Sequence, residues 1–285
     1  MTNVENVTVV GAGTMGSGIA HVFAQSGRAV ALVDQSEDLL AAGIQTIEKN
    51  LDRQLEKEKI TPEERDQTLR RVAQRTDLAD GAAEADLVVE AVTEKEAVKK
   101  DVFQTLDQHA PAEAILASNT SSISITWLGA QTERPERVIG MHFFNPVPVM
   151  SLVEVVRGLE TTDAVYDTTE GLAEDLGKDP VEVADFPGFV SNRVLMPMIN
   201  EAVFCLMEGV ADAEDIDTVM TLGMNHPMGP LTLADFIGLD VCLSIMEVLH
   251  TQLGDDKYRP CPLLRQKVTA GHLGRKSGQG FFSYE

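Results

Sequence analysis

The sequence predicts an α/β chain in which a doubly wound, parallel sheet is followed by a smaller all-α domain. Three observations carry this. A strand, a glycine-rich turn and a helix open the chain, strand and helix patterns then alternate through Val183, and beyond Pro187-Gly188 the apolar runs have helical spacing. The 285 residues suit two domains at roughly 150 residues each. Pro and Gly punctuate Asp185-Phe186-Pro187-Gly188-Phe189, so the expected first domain is 1–185 and the second 186–285.

Val7-Thr8-Val9-Val10 is β-branched and reads as a strand. Gly11-Ala12-Gly13-Thr14-Met15-Gly16 turns the chain into a helix over 17–26, Gly27 stops it, and Ala29-Val30-Ala31-Leu32-Val33 forms the next strand. An acid, Asp34, ends that strand 18 positions after Gly16. G-x-G-x-x-G between a strand and a helix, with that acid, fits a Rossmann-type dinucleotide loop. The helix N-terminus would hold a pyrophosphate and Asp34 a ribose 2′-hydroxyl, and an acid there disfavours a 2′-phosphate, so NAD is expected rather than NADP.

Residues 37–75 read as a long polar helical stretch, broken into a hairpin near Thr61-Pro62-Glu63-Glu64, where Thr and Pro suit an N-cap and first turn. Strands resume at 85–92, 114–118, 137–142 and 151–156; a helix ending near Gly177 and a short extended piece follow. Ligands of a doubly wound sheet bind at strand carboxyl ends. Those ends carry Glu90, then Ser118-Asn119-Thr120-Ser121-Ser122, then His142-Phe143-Phe144-Asn145-Pro146. In the second domain, 194–207, 215–222 and 231–250 are apolar and helical, with more apolar surface than a private core needs, which implies a dimer interface.

Acidic residues number 45 against 23 basic ones, a formal net charge of -22, most of it before residue 185. Such a field excludes a general nucleic-acid or anionic-membrane partner. Self-repulsion of this size is screened within about 3 Å at ~1 M salt, so a high-salt cytosol is the expected setting. No apolar run approaches the ~20 residues of a bilayer span. Met1-Thr2-Asn3-Val4-Glu5-Asn6 lacks the features of a secretory leader. Cys205, Cys242 and Cys261 are widely spaced and no histidines stand at ligand spacing, so a reducing, cytoplasmic compartment and no metal are expected.

Oxidising an alcohol with a nicotinamide needs a group that takes the hydroxyl proton, and imidazole suits neutral pH. His142, at a strand end of the dinucleotide domain, is the candidate. Glu154 shares a strand face with Leu152 and Val156, and a carboxylate on an apolar face needs a partner, which His142 would supply. Ser121 could hold a substrate oxygen or form a local turn or cap. Asn192, which begins the first helix of the second domain, could close the site or serve as an N-cap. Lys49, Arg53 and Lys57 recur every four residues, either as a solvated face paired with glutamates or as a site for a polyphosphorylated ligand.

These motifs together resemble the L-3-hydroxyacyl-CoA dehydrogenase family, close to its short-chain 3-hydroxybutyryl-CoA members, over essentially the whole chain. Pro187-Gly188-Phe189-Val190-Ser191-Asn192-Arg193, Pro227-Met228-Gly229-Pro230 and Gly274-Arg275-Lys276-Ser277-Gly278-Gln279-Gly280 add to the likeness. The resemblance implies reversible oxidation of an (S)-3-hydroxyacyl-CoA to a 3-oxoacyl-CoA in fatty acid or butanoate metabolism. His142 is implied as the base, paired with Glu154, with Ser121 and Asn192 on the substrate oxygens. Beside Gly11, Ala12, Gly13, Thr14, Met15, Gly16 and Asp34, it implies NAD contacts at Glu90, Lys95, Ser121, Asn145 and Lys276, and coenzyme A contacts at Asn50, Lys57 and Ser121. It also implies a stand-alone dehydrogenase and a homodimer through the second domain. The cationic stripe counts against the alternative of a free sugar-acid dehydrogenase of the L-gulonate type. Keeping Ser121, His142, Glu154 and Asn192 together counts against a non-catalytic dinucleotide-binding protein.

Overall fold

Short β-branched runs alternating with amphipathic helices build an eight-stranded sheet in the computed structural model, which describes residues 4–284. The strands are β1 (Asn6–Val10), β2 (Ala29–Val33), β3 (Val72–Arg75), β4 (Leu87–Glu90), β5 (Ile115–Ser118), β6 (Val138–Phe143), β7 (Leu152–Arg157) and β8 (Asp179–Ala184), in the order β3-β2-β1-β4-β5-β6-β7-β8. From β3 to β6 all neighbours are parallel. The strand order reverses at β1, which has β2 on one side and β4 on the other, the place at which a doubly wound sheet receives its ligand. β4, β5 and β6 are buried along their whole length, as parallel strands packed on both faces are.

The helices of this unit are α1 (Thr14–Gln25), α2 (Glu37–Glu56), α3 (Pro62–Arg70), α4 (Leu78–Ala82), α5 (Glu96–His109), α6 (Ile125–Gly129) and α7 (Asp163–Asp175). α2 buries Leu40, Gly43, Ile47 and Leu51, one stripe at helical spacing. Thr61 and Glu64 form a reciprocal capping box that starts α3, with Pro62 in its first turn.

Two features differ from the expected layout. β7 runs antiparallel to β6, because only residues 144–151 separate them, fewer than the dozen or more that a parallel crossover needs. Residues 72–75, expected as the end of a helical hairpin, form β3 instead. They pair with β2 at the sheet edge, where Val72 packs half-buried against the core and the exposed Ala73, Gln74 and Arg75 are tolerated.

The chain divides into two units between Asp185 and Phe186. The second holds α8 (Ser191–Met207), α9 (Ala213–Thr218), α10 (Pro230–Ile237), α11 (Leu239–Leu253) and α12 (Pro262–Thr269) around a core that includes Ile199, Val203, Leu231, Leu239 and Leu249. The single run expected over 231–250 is two helices, broken at Gly238, whose φ of 106° suits glycine. Among the described residues, no helix is long and apolar enough to cross a membrane.

Candidate active site

The glycine loop leaves β1 and starts α1. Gly11 has a φ of 103°, and a Cβ on it would lie 2.7 Å from the Ala91 carbonyl oxygen. A Cβ on Gly16 would stand 1.7 Å from the Gly11 oxygen, so any side chain there would force helix and loop apart. A Cβ on Gly13, by contrast, meets nothing within 4 Å, and the backbone faces open space. Gly13 is the N-cap of α1 and makes no side-chain cap, and no acid stands in the first turn. The opening amides of Thr14, Met15 and Gly16 and the positive end of a 12-residue helix are therefore presented together, an arrangement that binds phosphate oxygens.

Asp34 continues the loop. Its Oδ2 accepts from the Ala12 N–H at 2.7 Å and its Oδ1 from the Gln35 N–H at 2.7 Å. Each carboxylate oxygen retains a further lone pair that can accept from a ribose hydroxyl. Open amides for a pyrophosphate and an anchored carboxylate for a ribose fit NAD.

Further along the same sheet, antiparallel pairing sets His142 directly opposite Glu154. Nδ1 and Oε2 are 2.7 Å apart, and the two residues are only 8% and 2% exposed. An ionised carboxylate can only accept, so Nδ1 carries the hydrogen and donates it, and Nε2 is the basic nitrogen. The Phe144 ring lies 4.7 Å from the imidazole centroid, tilted by 49°.

Between these parts, two carboxylates organise the loop after β5, of which the sequence analysis named one, Glu90. Glu90, expected at the cofactor, is wholly buried. Its oxygens accept from Lys99 Nζ at 2.6 and 2.9 Å, from the Ser118 hydroxyl at 2.6 Å and from the Val92 N–H at 2.7 Å, so its side chain serves the interior. Glu94, four residues on, reaches the loop. Its Oε1 accepts from the Thr120 hydroxyl at 2.6 Å, the Ser121 N–H at 2.9 Å and the Ser122 N–H at 3.1 Å, while Lys99 Nζ lies 3.3 Å from Oε2. Burial works to raise the Glu94 pKa, but the Lys99 ammonium and the donors on Thr120, Ser121 and Ser122 hold it below the usual carboxylate value. Asn119 Oδ1 accepts from the Phe143 N–H at 2.8 Å and ties the loop to the strand end beside His142. Ser121 caps no helix; Ser124 caps α6.

Lys95 is exposed at the N-cap of α5, and Asn145 is exposed in the turn after β6. Lys49, Arg53 and Lys57 are exposed along α2 and its C-cap, with Asn50 half-buried among them. Among the described residues, none of the three cations pairs with a carboxylate; Lys49 donates only to Gln45 at 3.4 Å. In the second unit, Asn192 is not an N-cap. It is the second residue of α8, and its N–H donates to the Gly188 oxygen at 3.1 Å. Lys276 pairs with Asp240 at 2.5 Å.

A buried, carboxylate-backed imidazole on the same sheet as a dinucleotide loop is what a nicotinamide-dependent dehydrogenase requires, and the chain is of that class. Residues 6–186 match the model of the 3-hydroxyacyl-CoA dehydrogenase NAD binding domain, and residues 188–284 that of the 3-hydroxyacyl-CoA dehydrogenase C-terminal domain. The chain belongs to the 3-hydroxyacyl-CoA dehydrogenase family. It is 57% identical to a probable 3-hydroxybutyryl-CoA dehydrogenase of Bacillus subtilis over 282 residues, covering 99% of this chain and 98% of that protein. It is 53% identical over 281 residues to the 3-hydroxybutyryl-CoA dehydrogenase of Bradyrhizobium diazoefficiens, covering 99% of this chain and 96% of that one. The crystal structure of an (S)-3-hydroxybutyryl-CoA dehydrogenase from Ralstonia eutropha superposes with a TM-score of 0.96 at 50% identity, covering 99% of this chain and all of that one.

Proposed function

We propose that the protein catalyses the reversible, NAD-dependent oxidation of a short-chain (S)-3-hydroxyacyl-CoA, such as 3-hydroxybutyryl-CoA, to the 3-oxoacyl-CoA, in fatty acid or butanoate metabolism. The observation that carries this is the His142–Glu154 pair, 2.7 Å apart and buried at a strand end of a dinucleotide-binding sheet. Bound NAD supplies the acceptor for the hydride that leaves the carbinol carbon. His142 Nε2 takes the hydroxyl proton, and Glu154 stabilises the imidazolium that forms. In the reverse direction the same imidazolium returns the proton to the oxygen. Ser121 and Asn192 are assigned to the substrate oxygens, and the glycine loop, Asp34, Glu90, Lys95, Ser121, Asn145 and Lys276 to the cofactor. Glu94 supports that set by holding the Ser121 loop. The unpaired cations Arg53 and Lys57, with Asn50, support binding of coenzyme A phosphates.

The protein is read as cytoplasmic, with an acidic surface suited to high salt, and as a homodimer through its second unit. Exposed Val194, Val210, Val219, Leu222 and Met224 support that interface.

The test follows NADH absorbance in molar KCl on adding acetoacetyl-CoA, with free acetoacetate and NADPH as controls. Rapid oxidation that requires the CoA ester is expected. Binding of NADH with no turnover of acetoacetyl-CoA or longer 3-oxoacyl-CoA esters would overturn the assignment.

A further inference from the structure

Lys178 stands in the turn between α7 and β8 and is 8% exposed. Its ammonium donates to the main-chain oxygens of Val147 at 2.6 Å and Met150 at 2.7 Å. Among the described residues it pairs with no carboxylate, in a chain where acids outnumber bases 45 to 23. The other deeply buried lysine, Lys99, is held between two carboxylates. Burying an ammonium without a counter-ion is unfavourable, and burial lowers the Lys178 pKa. An apolar side chain would avoid that penalty but would leave both carbonyls without a donor.

Both carbonyls belong to the one turn, 144–151, that joins the strands of the His142–Glu154 pair. Other contacts fix the same turn. The N–H groups of Val149 and Met150 both donate to the Pro146 oxygen, and the Asp179 N–H, next to Lys178, donates to the Ser151 oxygen at 2.8 Å. Val147 is 2% exposed and lies against α1, its Cβ only 2.9 Å from where a Cβ on Gly18 would stand. The ammonium thus secures the turn from within, between α1 and β7, and Asn145 rides on it.

We infer that Lys178 is a positioning residue for proton transfer, holding the 144–151 turn so that His142 and Glu154 keep their register and His142 keeps its aim at the reacting oxygen. This rests on the function proposed above. Positioning errors of about 1 Å can lower turnover by on the order of a hundredfold. Lys178→Met, which keeps the aliphatic stem and removes both donors, is therefore expected to lower kcat for acetoacetyl-CoA reduction by about ten- to a hundredfold, and to raise the Kd for NADH only a few fold through Asn145 on the same turn.

Lys178→Met is compared with wild type in kcat, KM, NADH binding by fluorescence and melting temperature. The histidine Nδ1–H resonance of His142 is read by NMR on nitrogen-labelled protein. A kcat loss that exceeds the rise in NADH Kd, together with a moved or broadened His142 resonance, supports the inference. Wild-type kcat and an unmoved resonance, or a kcat loss matched by the fraction unfolded, overturn it. If Lys178→Met does not fold, Lys178→Arg takes its place. The guanidinium is bulkier than the ammonium and must push the buried turn aside to reach the two oxygens, so kcat should fall severalfold, and an unchanged kcat overturns the inference. If wild-type protein does not turn over acetoacetyl-CoA, the proposed function fails by itself, and the His142 resonance alone then decides the role of Lys178.

Discussion

The glycine loop and the His142–Glu154 pair lie on one sheet and are built on opposite terms. At the loop, the first turn of α1 has no side-chain cap, and the backbone at Gly13 faces open space. At the pair, each group meets a partner inside the protein, 2.7 Å apart and almost out of water. Where charge arrives with a ligand, the fold leaves donors waiting. Where charge develops on the protein's own imidazole, the counter-charge is already in position, so little reorganisation accompanies the reaction.

Substitutions can separate the two. His142→Ala should lower kcat by about 10² to 10⁴-fold while NADH still binds, measured by turnover beside fluorescence titration. Glu154→Gln should approach the same loss with the fold intact, since an amide can donate to Nδ1 and so favour the wrong tautomer. Near-normal turnover in either variant would remove the pair from the chemistry. Gly16→Ala should do the reverse. Its Cβ would sit 1.7 Å from the Gly11 oxygen, so NADH affinity should fall by at least about tenfold, with the His142 resonance unmoved. If binding survived, the loop would be more compliant than its geometry suggests.

Smaller effects refine the contrast. Asp34→Ala should weaken NADH binding and reduce discrimination against NADPH by about tenfold, roughly the value of one charged hydrogen bond. The smallest effect lies behind the loop. His21 in α1 is fully buried, and burial lowers its pKa from 6.5 to about 4, opposed by its contact with Gln25 and assisted by nearby Lys178. As pH falls below 6.5, the unfolded chain takes up this proton first. Stability is thus fullest above that value and declines until about pH 4, with a loss of about 1 kcal/mol already at pH 6. Melting curves from pH 8 to pH 5 should show an acid-sensitive component that His21→Gln removes, and equal slopes in the two proteins would contradict it.

What the sequence disclosed follows the same division. Val7-Thr8-Val9-Val10, the three glycines and Asp34 were legible because each requirement on the backbone is local. Glu154 was legible because strand alternation sets it among apolar neighbours, where an acid needs a reason. Glu90 was legible as a strand-end acid, but its burial against Lys99 and the hold of Glu94 on the Ser121 loop depend on the three-dimensional path of the chain. Lys99, 1% exposed, stands among other charges on a polar helix, and nothing local in the sequence marks it as buried. Gly238 was hidden within an apolar run that helical spacing allows to continue, and β3 was masked by its polarity. The antiparallel hairpin could have been found by measuring how short the connection is.

That hairpin bears on how the gene can change. Phe143 faces Val153 and Met141 faces Val155 on either side of the His142–Glu154 rung. Removing or adding one residue in 144–151 would move a valine onto that rung and leave the carboxylate on the wrong face. A substitution within the turn leaves that register intact, whereas a single-codon insertion or deletion shifts it. The spacing between histidine and glutamate should therefore be inherited more strictly than the residues that fill it.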